Sequence, residues 1–150
     1  MTERADHIFP TDATLAALAA RVAEGDDAPV VMLNLNRYRD LAAYADGRDT
    51  GGMSGRTAYL SYGIVAQAAI AEVGGAILWA TEAHAPIIGC EHDTYDEVVA
   101  VWYPSIAAFL GLADVPGYAD ALVHRDAAVE RAALIPCAAE VDPALRNPFG

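Results

Sequence analysis

Arg125 is the residue in this 150-residue chain whose setting most demands a chemical explanation. Tyr118, Leu122, Arg125, Val129 and Ala132 follow one another in steps of four, three, four and three, which places a guanidinium in the middle of one helical face. That face should look at a sheet. A cation buried there without a partner is strongly unfavourable, so something negative must meet it. A protein carboxylate such as Glu97 or Glu82 would serve as a structural ion pair, or the stem packs on the core and the head reaches water. The other reading is an anionic ligand, because the planar fork of arginine suits carboxylate and enolate oxygens.

Asn34 interrupts an apolar run, where its donors and its acceptor must be satisfied by a ligand, a neighbouring loop or ordered water. Tyr59 and Tyr62 lie three apart on one helical face and can both point at the sheet, as core or as site. Trp79 and Trp102 fall on the two middle strands of the chain and could stack on a planar substrate, or fill the core or an interface. His124 neighbours Arg125 but is turned by about 100° around the helix, toward a pocket rim or the surface. Arg37, directly after the Asn34 strand, and Tyr118, at the start of the Arg125 helix, complete the candidate ligand contacts. His84, Cys90, His92 and Asp93 are metal-ligand types, but they fit no standard spacing and span a proline and a turn, so no metal is expected. Neither cysteine has the helix-start setting that activates a thiolate. The glycines between Gly47 and Arg56 lack the Gly-Lys-Ser/Thr ending of a phosphate loop, and the chain has no lysine. No G-x-S-x-G elbow or glycine-rich dinucleotide turn occurs, which argues against serine hydrolases and dinucleotide-dependent dehydrogenases.

The elements that must position these residues follow from periodicity. Thr11 to Glu24 reads as a short amphipathic helix stopped by Gly25, and Val30 to Asn36 as a buried strand. Residues 40–55 form the longest irregular stretch. Ser54 caps a helix whose face carries Tyr59, Tyr62, Ala66, Ala69, Ile70 and Val73, ended by Gly74-Gly75. Ala76 to His84 and Glu97 to Tyr103 read as strands joined by a long connection. Ser105 caps a further helix, Pro116-Gly117 breaks it, a second segment runs from Tyr118 to about Arg131, and Ala133 to Ala138 is the last strand. Setting the first helix aside, the order β-α-β-β-α-β predicts an α+β, ferredoxin-like antiparallel sheet with helices on one face. Its other face would be apolar and open, which favours a homodimer joined through it. The expected division is a helical extension over 1–29, the ferredoxin-like domain over 30–138 and a tail over 139–150.

Composition bounds the partners. Hydrophobic residues make up 55%, so the chain should fold, and 21 acidic against 9 basic residues give a formal charge of −12. Nucleic acid and anionic membrane surfaces would be repelled. Without a signal-like start or an apolar run of spanning length, a cytoplasmic protein is expected.

Leu33 to Arg39, Ser54-Gly55-Arg56-Thr57-Ala58-Tyr59, Tyr62-Gly63, Gly74-Gly75, Trp79, Ile88-Gly89 and Asp96-Glu97-Val98 recur in a familiar order. Tyr103-Pro104-Ser105, Phe109, Pro116-Gly117-Tyr118 and His124-Arg125 continue it. Over roughly Val30 to Ala138 the set resembles the bacterial family called domain of unknown function 1330, a branch of the dimeric α/β-barrel superfamily. The resemblance implies a ferredoxin-like dimer and no agreed reaction; the wider superfamily holds cofactor-free monooxygenases, isomerases, haem enzymes and members without known activity. The expected function is therefore small-molecule binding, with cofactor-free isomerisation, proton transfer or oxygenation as the enzymatic version. One pocket per subunit would be lined by Asn34, Tyr62, Trp79, Trp102 and Arg125. Arg125 would hold an oxyanion, Tyr62 and Asn34 would orient the substrate, and a tyrosine or His124 would move a proton. The alternative is a non-catalytic domain that only dimerises or docks a partner.

Overall fold

A computed structural model describes residues 8–139; the remainder of the expected tail and the first seven residues lie outside the described residues. Helix α1 (Asp12–Ala23) starts at Thr11, whose hydroxyl accepts from the Thr14 amide at 3.1 Å while Thr14 accepts from the Thr11 amide at 3.0 Å. Strand β1 (Val30–Tyr38) follows, and α2 (Gly55–Glu72) is capped by Ser54, which accepts from the Thr57 amide at 3.1 Å. Then come β2 (Ala76–Glu82), β3 (Glu97–Tyr103), the short α3 (Ile106–Leu110) with a 3-10 turn over Gly111–Asp114, α4 (Tyr118–Ala128) and β4 (Val129–Ala138). Gly117, at φ 87°, turns the chain into α4 in a conformation that side-chain-bearing residues rarely adopt.

The Arg125 helix ends three residues earlier than its periodicity predicts. Val129 already pairs with Tyr38, and Arg131 with Arg37, so ladder bonds to the end of β1 replace a further helical turn. The stripe survives across the junction because Val129 and Ala132 point to the same side of the sheet as the helix.

The four strands are hydrogen-bonded in the order β2-β3-β1-β4, every pair antiparallel. This is the ferredoxin-like α+β arrangement. Residues opposite each other share a face, so the register divides the sheet. Met32, Asn34, Asn36 and Tyr38 of β1 face the helices together with Glu97, Val99, Val101 and Tyr103 of β3 and Ala132, Leu134 and Pro136 of β4. Val31, Leu33, Leu35, Val98, Ala100, Trp102, Ala133 and Ile135 occupy the opposite face. A register irregularity between Ile77 and Trp79 sets Trp79 against Ala100, on that opposite face as well.

Two cores fill the helix side. Val30, Met32, Ala69, Ile70, Val101, Tyr103, Ile106 and Leu112 form one, and Ile8, Tyr38, Ala42, Tyr44, Ala58, Ala127, Ala128 and Val129 the other. In the second core α2 enters so closely that a Cβ on Gly55 would lie 2.6 Å from the Ala128 carbonyl oxygen. Helix α1 belongs to this body. Ile8 is in the second core, Leu18 and Val22 pack on the first, and Asp27 accepts from the Ala107 amide at 2.9 Å. Among the described residues no single helix is long and apolar enough to cross a membrane.

Candidate functional site

A cavity of about 480 Å³ lies beneath α1, on the helix side of β1 and β4. Leu15, Ala17 and Leu18 of α1 roof it, Met32, Ala132, Leu134 and Pro136 form its floor, and Phe9 and Phe109 close its sides. It exists because α4 covers only part of the sheet, and α1 spans the remaining floor without any fully buried residue of its own. Among the described residues, Thr11, Thr14, Arg21 and Arg125 are the polar side chains in its wall and no acidic residue lines it. Thr11 and Thr14 are engaged in the α1 cap, and Arg21 pairs with Asp26 at 2.8 Å.

Arg125 is different. It is only 9% exposed, and no described carboxylate lies within salt-bridge distance. Its Nε and Nη2 donate to one acceptor, the Ile8 carbonyl oxygen, at 3.2 and 3.0 Å. Nη1 donates to no described residue. The rings of Tyr62 and Phe9 lie 5.8 and 5.9 Å from the guanidinium carbon, so their faces supply part of the missing negative potential. A neutral carbonyl and two ring faces are a modest set of partners for a buried cation.

Beside the guanidinium runs a row of tyrosines. Tyr38, Tyr59, Tyr62 and Tyr118 follow one another with ring centroids 5.0, 5.3 and 6.1 Å apart, and the hydroxyls of Tyr62 and Tyr118 are 3.0 Å from each other. Burial raises the pKa of each above the usual phenol value, and of Tyr103 likewise; for Tyr59, Tyr62 and Tyr118 the charge of Arg125 opposes the rise without cancelling it. These phenols are proton donors held neutral, not bases. Asn36, fully buried, donates from Nδ2 to the Tyr59 hydroxyl at 3.2 Å, while its Oδ1 has no hydrogen-bond partner.

Glu97 and Glu82, the carboxylates expected to meet Arg125, do not. Glu97 accepts from the Tyr38 hydroxyl at 2.6 Å and from Arg56 Nη2 at 3.0 Å, on the wall of a second, polar recess of about 380 Å³. Glu82 lines the same recess. The difference is one of register: Glu97 and Glu82 stand opposite each other at the far end of the sheet, level with Asn36.

The structure gathers Arg125, Tyr62, Tyr59 and Tyr118 and disperses the other candidates. Trp79 and Trp102 are on the opposite sheet face, so they cannot line a pocket with Arg125. Arg37 is on that face too, donating from Nη1 to the Glu91 carbonyl at 3.3 Å, with its Nε 3.2 Å from Glu130. Asn34 faces the helices, but its amide donates to the Met32 and Val99 carbonyls at 3.2 and 3.3 Å, within the sheet and off the cavity wall. His124 Nδ1 is 2.7 Å from the Tyr44 hydroxyl, and the rings meet edge to face, which ties α4 to the 40–55 stretch. The imidazole is thus engaged away from the guanidinium. Tyr62, Tyr59 and Tyr118 stand behind Arg125 without forming the cavity wall. Among the described residues no group of three or more His, Cys, Asp or Glu could hold a metal ion. Asp93 instead accepts from the Cys90 amide at 2.8 Å, which holds its carboxyl below the usual range.

What sequence reasoning missed is the wall itself: Ile8, Phe9, Leu15, Leu18, Met32 and Leu134. The signal was present in the apolar face of α1, which had to cover something. Asn36 was equally legible, since it shares strand parity with Asn34 and Met32.

A four-stranded antiparallel sheet with helices on one side and a cavity between them defines a ferredoxin-like α+β protein. The chain belongs to the family described as domain of unknown function DUF1330, whose model matches residues 52–136. It is similar to the methylated RPA0582 protein, with 36% identity, a TM-score of 0.78, and coverage of 89% of this chain and 94% of that one. It is also similar to the RPA0582 protein of unknown function from Rhodopseudomonas palustris, a structural genomics target, at 34% identity and TM-score 0.76, covering 94% and 98%. No curated protein matches the chain.

Proposed function

We propose that this protein binds a small anionic molecule in the cavity beneath α1, with Arg125 as its anchor. The observation that carries the reading is a guanidinium 9% exposed on the wall of an apolar cavity, with a neutral carbonyl as its hydrogen-bond acceptor. A ligand carboxylate would supply the charge-assisted bonds that the protein does not. Binding is favoured over catalysis because, among the described residues, the cavity wall carries no group suited to accept a proton. Its polar side chains are two threonines and two arginines, the nearby phenols are held protonated, and His124 is bound to Tyr44. A thermal-shift panel of small carboxylates and phenols, run on the wild type and on Arg125→Met, tests it. Carboxylates should raise the melting temperature of the wild type only; at a hundred times Kd the stabilisation is about 2.7 kcal/mol. A flat panel would reject the reading.

A second reading, pairing of two copies, is favoured by the sheet face that no described helix covers. Trp79 and Ile135 there are 40% and 48% exposed, beside Leu33, Leu35 and Trp102. The two readings are compatible, since the cavity lies on the other side. Sedimentation of the wild type and of Trp79→Glu checks it: a dimer that the substitution dissociates is expected, and a monomeric wild type would exclude it.

A further inference from the structure

We infer that the ligand is an unbranched aliphatic monocarboxylate of about ten to twelve carbons, its carboxylate on Arg125 and its chain along the groove under α1. The inference rests on Arg125 being the anchor and adds the chemistry of everything beyond it.

One charged head is required by the way the wall's polar groups are already used. Thr11 and Thr14 satisfy each other in the helix cap, and Arg21 is neutralised by Asp26, so Arg125 is the wall cation lacking an acidic partner among the described residues. Nη1 is its unengaged edge. A second carboxylate at the far end of such a chain would arrive beside Arg21, whose charge Asp26 already takes at 2.8 Å, and Asp26 would repel it. The acidic balance of the chain makes the contrast sharper: a formal charge of −12 disfavours non-specific binding of anions.

The length follows from the elements. The wall of α1 runs from Thr11 to Arg21, which at a rise of ~1.5 Å per residue is roughly 15 Å. On the floor, the stretch of β4 from Ala132 to Pro136 is about 14 Å. An extended chain advances about 1.2 Å per bond, so roughly a dozen bonds fill the groove from end to end. Leu15, Ala17 and Leu18 of α1 face Met32, Ala132, Leu134 and Pro136 of the sheet across it, an aliphatic lining that suits a flexible alkyl chain. Leu15 and Leu18 on the roof and Met32 and Leu134 on the floor then contact methylenes, each buried methylene adding about 0.8 kcal/mol of transfer free energy, close to fourfold in affinity.

The test is calorimetric titration of the full-length protein with hexanoate, octanoate, decanoate and dodecanoate, and with decanol, decanedioate and phenylacetate. Affinity should rise about fifteenfold for each pair of methylenes up to dodecanoate, and decanol and decanedioate should each bind roughly tenfold more weakly than decanoate or worse. Arg125→Met should bring decanoate down to the level of decanol while decanol is unchanged. Should that variant not fold, Leu15→Trp, which fills the roof of the groove, must cut affinity for dodecanoate far more than for hexanoate. Affinity indifferent to chain length, or phenylacetate binding as tightly as dodecanoate, overturns the aliphatic ligand; if Arg125→Met still abolishes carboxylate binding in that case, the anchor reading stands. Absence of binding by every carboxylate, phenylacetate included, removes both.

Discussion

Arg56 and Arg125 stand on the same side of the same sheet and show two ways of placing a cation. Arg56, with its side chain 47% exposed, reaches Glu97 at 3.0 Å, and Glu97 also takes the Tyr38 hydroxyl at 2.6 Å. Arg125 is nearly buried and meets a neutral carbonyl. The first is a closed structural cluster whose members satisfy one another. The second is open, with donor capacity facing an apolar hollow. Buried charge that the fold leaves without a counter-charge is a better pointer to a ligand than a charge pair in a polar recess, because the desolvation it suffers must be compensated somewhere.

The largest expected effect concerns the tyrosines that lie between the two cations. Burial raises the pKa of Tyr38, Tyr59, Tyr62, Tyr103 and Tyr118 above the usual 10.0. Above that value the unfolded chain releases phenolic protons that the folded one retains, so fewer protons are bound in the unfolded state and stability falls as pH rises. Each withheld ionisation costs about 1.4 kcal/mol per pH unit for as long as the folded protein retains the proton, so the withheld protons together work against the narrow margin that holds a small domain folded. Alkaline titration followed by tyrosinate absorbance and circular dichroism should show ionisation and unfolding as one event. Gradual ionisation in a folded protein would show that the row is accessible.

Gly55→Ala separates the two sites next. Its Cβ would press on the Ala128 backbone, shift the start of α2 and pull Arg56 from Glu97, for a loss of about 3 kcal/mol in urea unfolding. Glu97→Leu should cost about 2 kcal/mol, because it leaves the Tyr38 hydroxyl without its acceptor. Arg125→Met, by contrast, should change the stability of the ligand-free protein by no more than about 1 kcal/mol, since relief of desolvation offsets the lost bonds to Ile8. A penalty for Arg125→Met as large as that for Glu97→Leu would erase the distinction and make Arg125 a structural residue.

Much of this was legible in the chain. Ser54 as a cap, the strands Val30 onward and Glu97–Tyr103, and the inward turn of Arg125 all follow from residue type and spacing. The faces of the strands were not. Val30 to Leu33 is apolar on both sides, so alternation does not say which parity meets the helices, and a shift of one residue moves every side chain to the other face. That is why Trp79 and Trp102, plausible as stacking groups, lie away from the cavity, and the irregularity beside Trp79 has no sequence mark. The partner of Glu97 was hidden for a related reason: Arg56 is 41 residues away and meets it only through the docking of α2. The cavity depends on residues 8–21 folding back over β4, a tertiary event that the amphipathic face of α1 announces without naming its site.

The guanidinium can be watched directly. In a two-dimensional nitrogen–proton spectrum of the ligand-free protein, the Arg125 Nε–H should be a resolved signal, fixed by its bond to Ile8. Addition of decanoate should move that signal by more than any other arginine Nε–H and slow its exchange with water, as a charged acceptor takes up the guanidinium. A ligand that binds while the Arg125 signal stays in place would contradict the claim that this residue is the anchor.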